Sequence, residues 1–201
     1  GIGMALAERL AASGSYRLIL CGRRAERLDG LRDRIGGDDV ATLKFDVGDR
    51  SAVEGALGSL PAPFWPVDVL VNNAGNAHGL APIQGGDPED WDRMIESNLR
   101  GLLNVSRLVS ASMVERRQGQ IINVGSIAGK EAYPDGNVYC ATKAAVDSLT
   151  QGMRMDLHPY NIRVAAIHPG LVETEFSMVR FKGDAGRAEA VYEGLQPLSG
   201  D

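Results

Sequence analysis

The sequence predicts an α/β fold: a doubly wound parallel sheet of the Rossmann type, in three layers. Two observations carry this. Candidate strands alternate with candidate helices along the whole chain. The strands are solid apolar runs rather than alternating ones, as expected when helices cover both faces of a sheet. No internal repeat or domain boundary interrupts the pattern, and 201 residues suit a single catalytic domain over 1–201.

Each element has its own signal. Met4, Leu6, Ala7, Leu10 and Ala11 recur at helical spacing, and Ser13-Gly14 ends the run. Leu18 to Cys21 is a short buried strand, and Gly22-Arg23-Arg24 turns the chain into a charged amphipathic helix over 24–35. A strand over 41–47 and a helix near 50–59 follow. Pro61, Pro63 and Pro66 break the chain before a third strand, 67–71, which runs into Asn72-Asn73-Ala74-Gly75. A long helix is predicted over 88–116, with Pro88 at its start, where proline is tolerated. A strand over 120–126, a second long helix over 137–157, a strand over 162–167 ended by Pro169-Gly170 and a last helix over 184–193 complete the pass.

Composition removes several classes of function. The formal net charge is −5, which argues against general nucleic-acid or anionic-membrane binding. Aromatic residues make up only 5%, too few for base-stacking platforms. No apolar run approaches the roughly 18 residues of a membrane span. His78, His158 and His168 lack metal-ligand spacing. Cys21 and Cys140 make no disulfide framework, so a reducing, cytoplasmic setting is expected. The 25 glycines, unexplained by low complexity, suggest tight turns and close backbone approach to something.

In doubly wound sheets ligands bind beyond the carboxyl ends of the strands. Gly1-Ile2-Gly3 opens a helix, where bare backbone and the positive helix end suit a phosphate; alone, the motif is weak. At the end of the next strand no acidic residue awaits a ribose 2′-hydroxyl. Arg23 and Arg24 stand there instead, and a guanidinium suits a 2′-phosphate. Asp46-Val47 ends the following strand, and Asp46 is either a helix cap or an acceptor for an adenine amino group. Asn72 to Gly75 either tie neighbouring strands or line a cofactor face.

Ser126, Tyr139 and Lys143 form the strongest constellation. Ser126 ends a strand, and Tyr139 and Lys143, four apart on a helix, share one face. A phenol is a poor acid–base at neutral pH unless its pKa is lowered, which a nearby ammonium does. Such a set can deprotonate an alcohol or protonate an alkoxide. Ser-His-Asp hydrolysis is the rival, but the G-x-S-x-G elbow is absent around Ser126, and His168 reads as structural or pocket-lining.

These residues, taken in order, resemble the short-chain dehydrogenase/reductase family over nearly the whole chain. The matching motifs are Gly1-Ile2-Gly3 as the end of a T-G-x3-G-x-G turn, Asp46-Val47, Asn72 to Gly75, Asn98, Ser126, Tyr139 with Lys143, and Pro169-Gly170 with Thr174. The resemblance implies an enzyme with Tyr139 as acid–base. Lys143 would lower its pKa and hold the nicotinamide ribose. Ser126 would orient the carbonyl, and Asn98 would support a proton-delivering water chain to Lys143. It further implies that Asn73, Ala74 and Gly75 lie along the cofactor, and that Pro169, Gly170, Val172 and Thr174 contact the carboxamide.

The stretch from Pro169 to Asp184, with the Gly22-Arg23-Arg24 turn and Gly136 to Tyr139, looks like the NADP-dependent 3-hydroxy acid dehydrogenases, which include enzymes acting on serine and allo-threonine. That likeness implies NADP as cofactor and a hydroxy or oxo acid as substrate. Arg180 or Lys182 would pair with its carboxylate. It also implies a homotetramer packed through the two long helices. The alternatives are a 3-oxoacyl or general carbonyl reductase of the same family and, less well matched, a non-catalytic NADP-sensing protein. The family's first strand and the start of its glycine turn are not found before Gly1, nor a last helix and edge strand after Asp201. The protein is therefore expected to be longer by a few tens of residues.

Overall fold

The structure, a computed structural model, describes residues 1–200. Ile2–Ala12 (α1) begins directly behind Gly1. Its inward face, Ala7 with Leu10 and Ala11, packs on Leu18 and Leu20 of Leu18–Gly22 (β1) and on Leu31 of Ala25–Ile35 (α2). Val40–Lys44 (β2) runs parallel to β1, in register from Leu18 with Val40 to Gly22 with Lys44. This strand is shorter than the predicted 41–47. Phe45 still donates to the Gly22 carbonyl at 3.0 Å, but the Asp46 carboxylate then accepts from Gly48 N at 2.9 Å and turns the chain.

Arg50–Gly58 (α3) starts at Asp49, whose carboxylate accepts from Ala52 N at 3.0 Å, an N-cap that satisfies one orphan donor. Val69–Asn72 (β3), Gly119–Val124 (β4) and Ile162–Ile167 (β5) form a parallel ladder. Val53, Val105, Val109, Met113, Ile121, Ile162 and Val164 pack into one apolar core between this ladder and its helices. The solid apolar runs thus form parallel strands, with buried positions on β1, β4 and β5 and partly buried ones on β2 and β3.

The predicted single helix over 88–116 is interrupted. Pro88–Ile95 (α4), capped by Asp87, gives way to a π-helical stretch, Glu96–Arg100, before Gly101–Arg116 (α5). The wider turn carries Asn98 into the interior, a common role for π-bulges at functional sites. Gly101 lets α5 lie on the segment after β2, since a Cβ there would sit 2.4 Å from Val47 Cγ2. Asn137–Leu157 (α6) spans the predicted 137–157. The predicted helix over 184–193 is shorter, Ala185–Ala190, and an unanticipated one, Phe176–Arg180, precedes it; these are α8 and α7.

Among the described residues, β1–β2 and β3–β4–β5 share no ladder. A cleft runs between them and reaches the residues past the carboxyl ends of the strands. No helix of the described residues is long and apolar enough to cross a membrane.

Candidate active site

The cleft gathers most of the residues singled out from the sequence: Gly1 to Gly3, Arg23 and Arg24, Asp46 and Val47, Asn73 to Gly75, and the strand-end residues that follow. Its floor is glycine where side chains would collide. A Cβ on Gly3 would lie 2.5 Å from Asn73 Nδ2, and one on Gly1 would touch Thr174 at 3.4 Å. A Cβ on Gly75 would lie 3.2 Å from Asn98 Oδ1 and 3.3 Å from Lys143 Nζ. Backbone exposed at the N-terminus of α1 and a lining kept free of Cβ atoms fit a dinucleotide.

The end of β1 is cationic. Arg23 lies 3.6 Å from Asp46, and Arg24 and Arg27 lie 3.5 and 2.5 Å from Glu175. Three guanidinium groups thus face two carboxylates, and all three side chains are more than half exposed. An uncompensated positive charge remains there for a phosphate.

The alternatives left open for the Asn72 to Gly75 turn divide between neighbours. Asn72 ties strands together: its Nδ2 donates to Asn123 Oδ1 on β4 and to Ser106 Oγ, both at 2.8 Å. Asn73, Ala74 and Gly75 line the cleft.

Ser126, just past β4, heads the tight turn Ile127–Gly129, and its Oγ accepts from Ala128 N at 3.1 Å. The hydroxyl proton is left for another acceptor. Tyr139 and Lys143 sit buried on the first two turns of α6, facing that turn. Lys143 Nζ donates to the Val124 carbonyl at 2.9 Å and lies 6.0 Å from the Tyr139 ring centre. The Asn98 amide is used on both sides: Oδ1 accepts from Asn76 N at 2.8 Å, and Nδ2 donates to Asn76 O at 2.9 Å and to Thr142 Oγ1 at 3.0 Å. It clamps the turn after β3 against α6, one residue before Lys143.

Burial dominates the electrostatics. It holds the Tyr139 phenol above its ordinary range; the Ser126 hydroxyl and the Arg180 charge pull the other way. Burial also pulls the Lys143 ammonium down to about 8. The expected lowering of the phenol by Lys143 is not among these influences; the nearby cation that acts on it is Arg180.

Phe176, Gly129 and Asp147 were given no role from the sequence, whereas His168, read as structural or pocket-lining, has a structural partner. Phe176 on α7 packs 5.5 Å from the Tyr139 ring. Gly129 lies so close to α6 that a Cβ would sit 2.7 Å from the Lys143 carbonyl. His168 Nε2 meets Asp147 Oδ1 at 2.6 Å, and Asp147 also holds Lys130, which joins the end of β5 to α6 one turn past Lys143. The Lys130 hydrogen bond, with His168 adding to it, keeps the Asp147 carboxyl below the usual carboxylate range. The contacts of Phe176, Gly129 and Asp147 were not legible, because their meaning lies in tertiary contact.

The chain matches the family description "short chain dehydrogenase" over residues 1–185. It is 48% identical over 200 residues to the NADP-dependent 3-hydroxy acid dehydrogenase YdfG of Salmonella typhi, covering 99% of this chain and 80% of that protein. It is 40% identical over 201 residues to the serine 3-dehydrogenase of Rhizobium radiobacter, covering 100% of this chain and 80% of that one. Among solved structures it is similar to the closed form of serine dehydrogenase complexed with NADP+, with a TM-score of 0.96 and 46% identity over 100% of this chain and 80% of that chain.

Proposed function

The chain belongs to the short-chain dehydrogenase family, and on that premise we propose that it is an NADP(H)-dependent oxidoreductase interconverting a 3-hydroxy acid with the corresponding 3-oxo acid or semialdehyde. One observation carries the chemistry: Ser126, Tyr139 and Lys143 converge on a glycine-floored cleft that ends in arginines. Relatives at 48% and 40% identity, a 3-hydroxy acid dehydrogenase and a serine 3-dehydrogenase, support the substrate class.

NADP(H), when bound, donates or accepts the hydride at the substrate carbon. The protein's part is to hold that carbon in place and to move the proton on its oxygen. In reduction the Tyr139 phenol donates to the carbonyl oxygen, and in oxidation the phenolate takes the proton back. The Ser126 hydroxyl donates to the same oxygen. Lys143 binds the nicotinamide ribose and is the group through which Tyr139 is reprotonated, held in register by the Asn98 clamp. Gly1, Ile2 and Gly3 approach the pyrophosphate, and Arg23 and Arg24 take the 2′-phosphate. Asp46 and Val47 border the adenine. Asn73, Ala74 and Gly75 lie along the cofactor, with Pro169, Gly170, Val172 and Thr174 against its carboxamide.

Exposed Ile95 and Leu103 on α4 and α5 and Met155 on α6 support assembly into a homotetramer through the long helices. Free Cys21 and Cys140 suit a reducing cytoplasm.

The test is a panel of L-serine, 3-hydroxybutyrate and neutral carbonyl compounds with either cofactor. A preference for NADPH and for acids is expected. Equal turnover of acids and neutral carbonyls would overturn the hydroxy-acid reading. Tyr139→Phe should bind NADPH and lose about 10²- to 10⁴-fold in kcat, the usual share of general acid–base catalysis; unchanged turnover would remove Tyr139 from its role.

A further inference from the structure

Arg180 is the last residue of α7 and is 8% exposed. Its Nε donates to the Gly79 carbonyl at 3.1 Å, and Gly79 N donates to the Arg180 carbonyl at 2.9 Å, so the turn after β3 and α7 hold each other. Among the described residues no carboxylate oxygen lies within 4.0 Å of the guanidinium. Its other neighbours are aromatic rings: Cζ lies 5.4 Å from the centre of Tyr133, 5.7 Å from Tyr139 and 5.9 Å from Phe181. Ring faces compensate a desolvated cation only in part. A buried charge is ordinarily paired, and this one is not paired within the protein.

The guanidinium lines the same cleft as Ser126 and Tyr139. Its planar fork matches a carboxylate in two parallel hydrogen bonds. Lys182, the other cation considered for this role, is already engaged. It lies 3.0 Å from Asp90 and 3.6 Å from Asp87, and its side chain is 54% exposed. Arg187 stacks on Phe181 at 4.5 Å.

We infer that Arg180 binds the substrate carboxylate and sets the selectivity for free acids over esters and other neutral carbonyl compounds. This rests on the oxidoreductase reading of Tyr139 and Ser126. In a 3-hydroxy acid two carbon–carbon bonds separate the reacting carbon from the carboxyl carbon. That short span suits an anchor beside the tyrosine ring that handles the proton. An acyl group carried as a thioester has no charge to offer Arg180 and would leave it buried and unpaired.

The experiment compares kcat/KM for a 3-hydroxy acid and for its methyl ester, as a ratio, in the parent and in Arg180→Met, Arg180→Lys and Lys182→Met. NADPH titration checks that each variant is folded. The parent should favour the acid. Arg180→Met should lower the acid-to-ester ratio by about 10- to 100-fold, mainly through KM for the acid, as expected for loss of a charged hydrogen-bonded pair. Arg180→Lys should lose less, keeping the charge without the fork. Lys182→Met should move the ratio by less than about twofold. A parent with no acid preference would overturn the hydroxy-acid reading and this inference together. A parent that favours the acid, with an undiminished ratio in Arg180→Met, would overturn the inference alone. If Arg180→Met fails to bind NADPH, the ratio in Arg180→Lys decides in the same way.

Discussion

Substituting Gly129 by alanine tests how tightly the turn headed by Ser126 is set against α6. A Cβ at this position would lie 2.7 Å from both the carbonyl carbon and the carbonyl oxygen of Lys143, and 3.0 Å from Ala144 N. These are backbone atoms inside a 21-residue helix and cannot swing aside as a side-chain tip would. Restoring an ordinary contact near 3.4 Å moves the turn or the helix by about 0.7 Å. Overpacking of this kind typically costs about 1–3 kcal/mol, and each kcal/mol lowers Tm by about 2–4 °C in a chain of this size. The same shift separates Ser126, which heads the turn, from Tyr139, which sits on the helix. Misplacement near 1 Å costs about 10²-fold in rate, so kcat should fall by about 10- to 100-fold. Thermal unfolding and steady-state kinetics read the two effects separately. NADPH affinity should suffer less than kcat, because the glycine floor and the arginines lie elsewhere. An alanine variant with unchanged Tm and kcat would refute the claim that this contact sets the catalytic spacing.

Two further outcomes follow from the charges in the cleft. Arg23→Ala should weaken NADPH binding by about tenfold, a charged hydrogen bond discounted for its solvent exposure, and NADH binding much less; equal losses in titrations with the two cofactors would remove Arg23 from 2′-phosphate recognition. With Lys143 titrating near 8, NADPH affinity should fall by about fivefold between pH 7 and 9 as the ammonium is lost. The sign for stability is opposite: the burial penalty of this lysine builds as pH falls from 10.5 to about 8 and is constant below, so its contribution improves as pH rises from about 8 toward 10.5. A fluorescence titration across this range in which affinity stays flat would show that the ammonium form does not hold the cofactor.

The sequence was most readable where one residue type permits one role. Apolar runs without alternation predicted parallel strands, and β1 to β5 occupy those runs with ends shifted by at most three residues and β5 not at all. Tyr139 and Lys143 could be placed together because helical spacing alone puts them on one face. The break at Glu96–Arg100 was hidden: no Gly or Pro interrupts the stretch, and the Asn98 amide that bonds to Asn76 and Thr142 there finds partners far apart in the chain. The helix Phe176–Arg180 is five residues long, too short for a periodic signal. Burial was the other blind spot. Spacing places an ammonium near a phenol, but desolvation decides whether it lowers the phenol's pKa, and here Lys143 is itself depressed. Nor could any local pattern separate Arg180 from Lys182 two positions on; the difference is that Asp87 and Asp90 reach only the second.

The two cations beside Tyr139 have different effects because they are differently partnered. Lys143 is anchored to the Val124 carbonyl on the side where Gly75 and Asn98 meet, and Arg180 is anchored to the Gly79 carbonyl on the side of Phe176 and Tyr133. Burial raises the phenol's pKa and Arg180 lowers it. A carboxylate on Arg180 offsets that lowering, so an acid substrate moves the phenol further above its ordinary range. A neutral substrate leaves the Arg180 charge in place and the phenol more acidic. On the Arg180 assignment, the anchor that selects an acid therefore also weakens a charge that favours the phenolate.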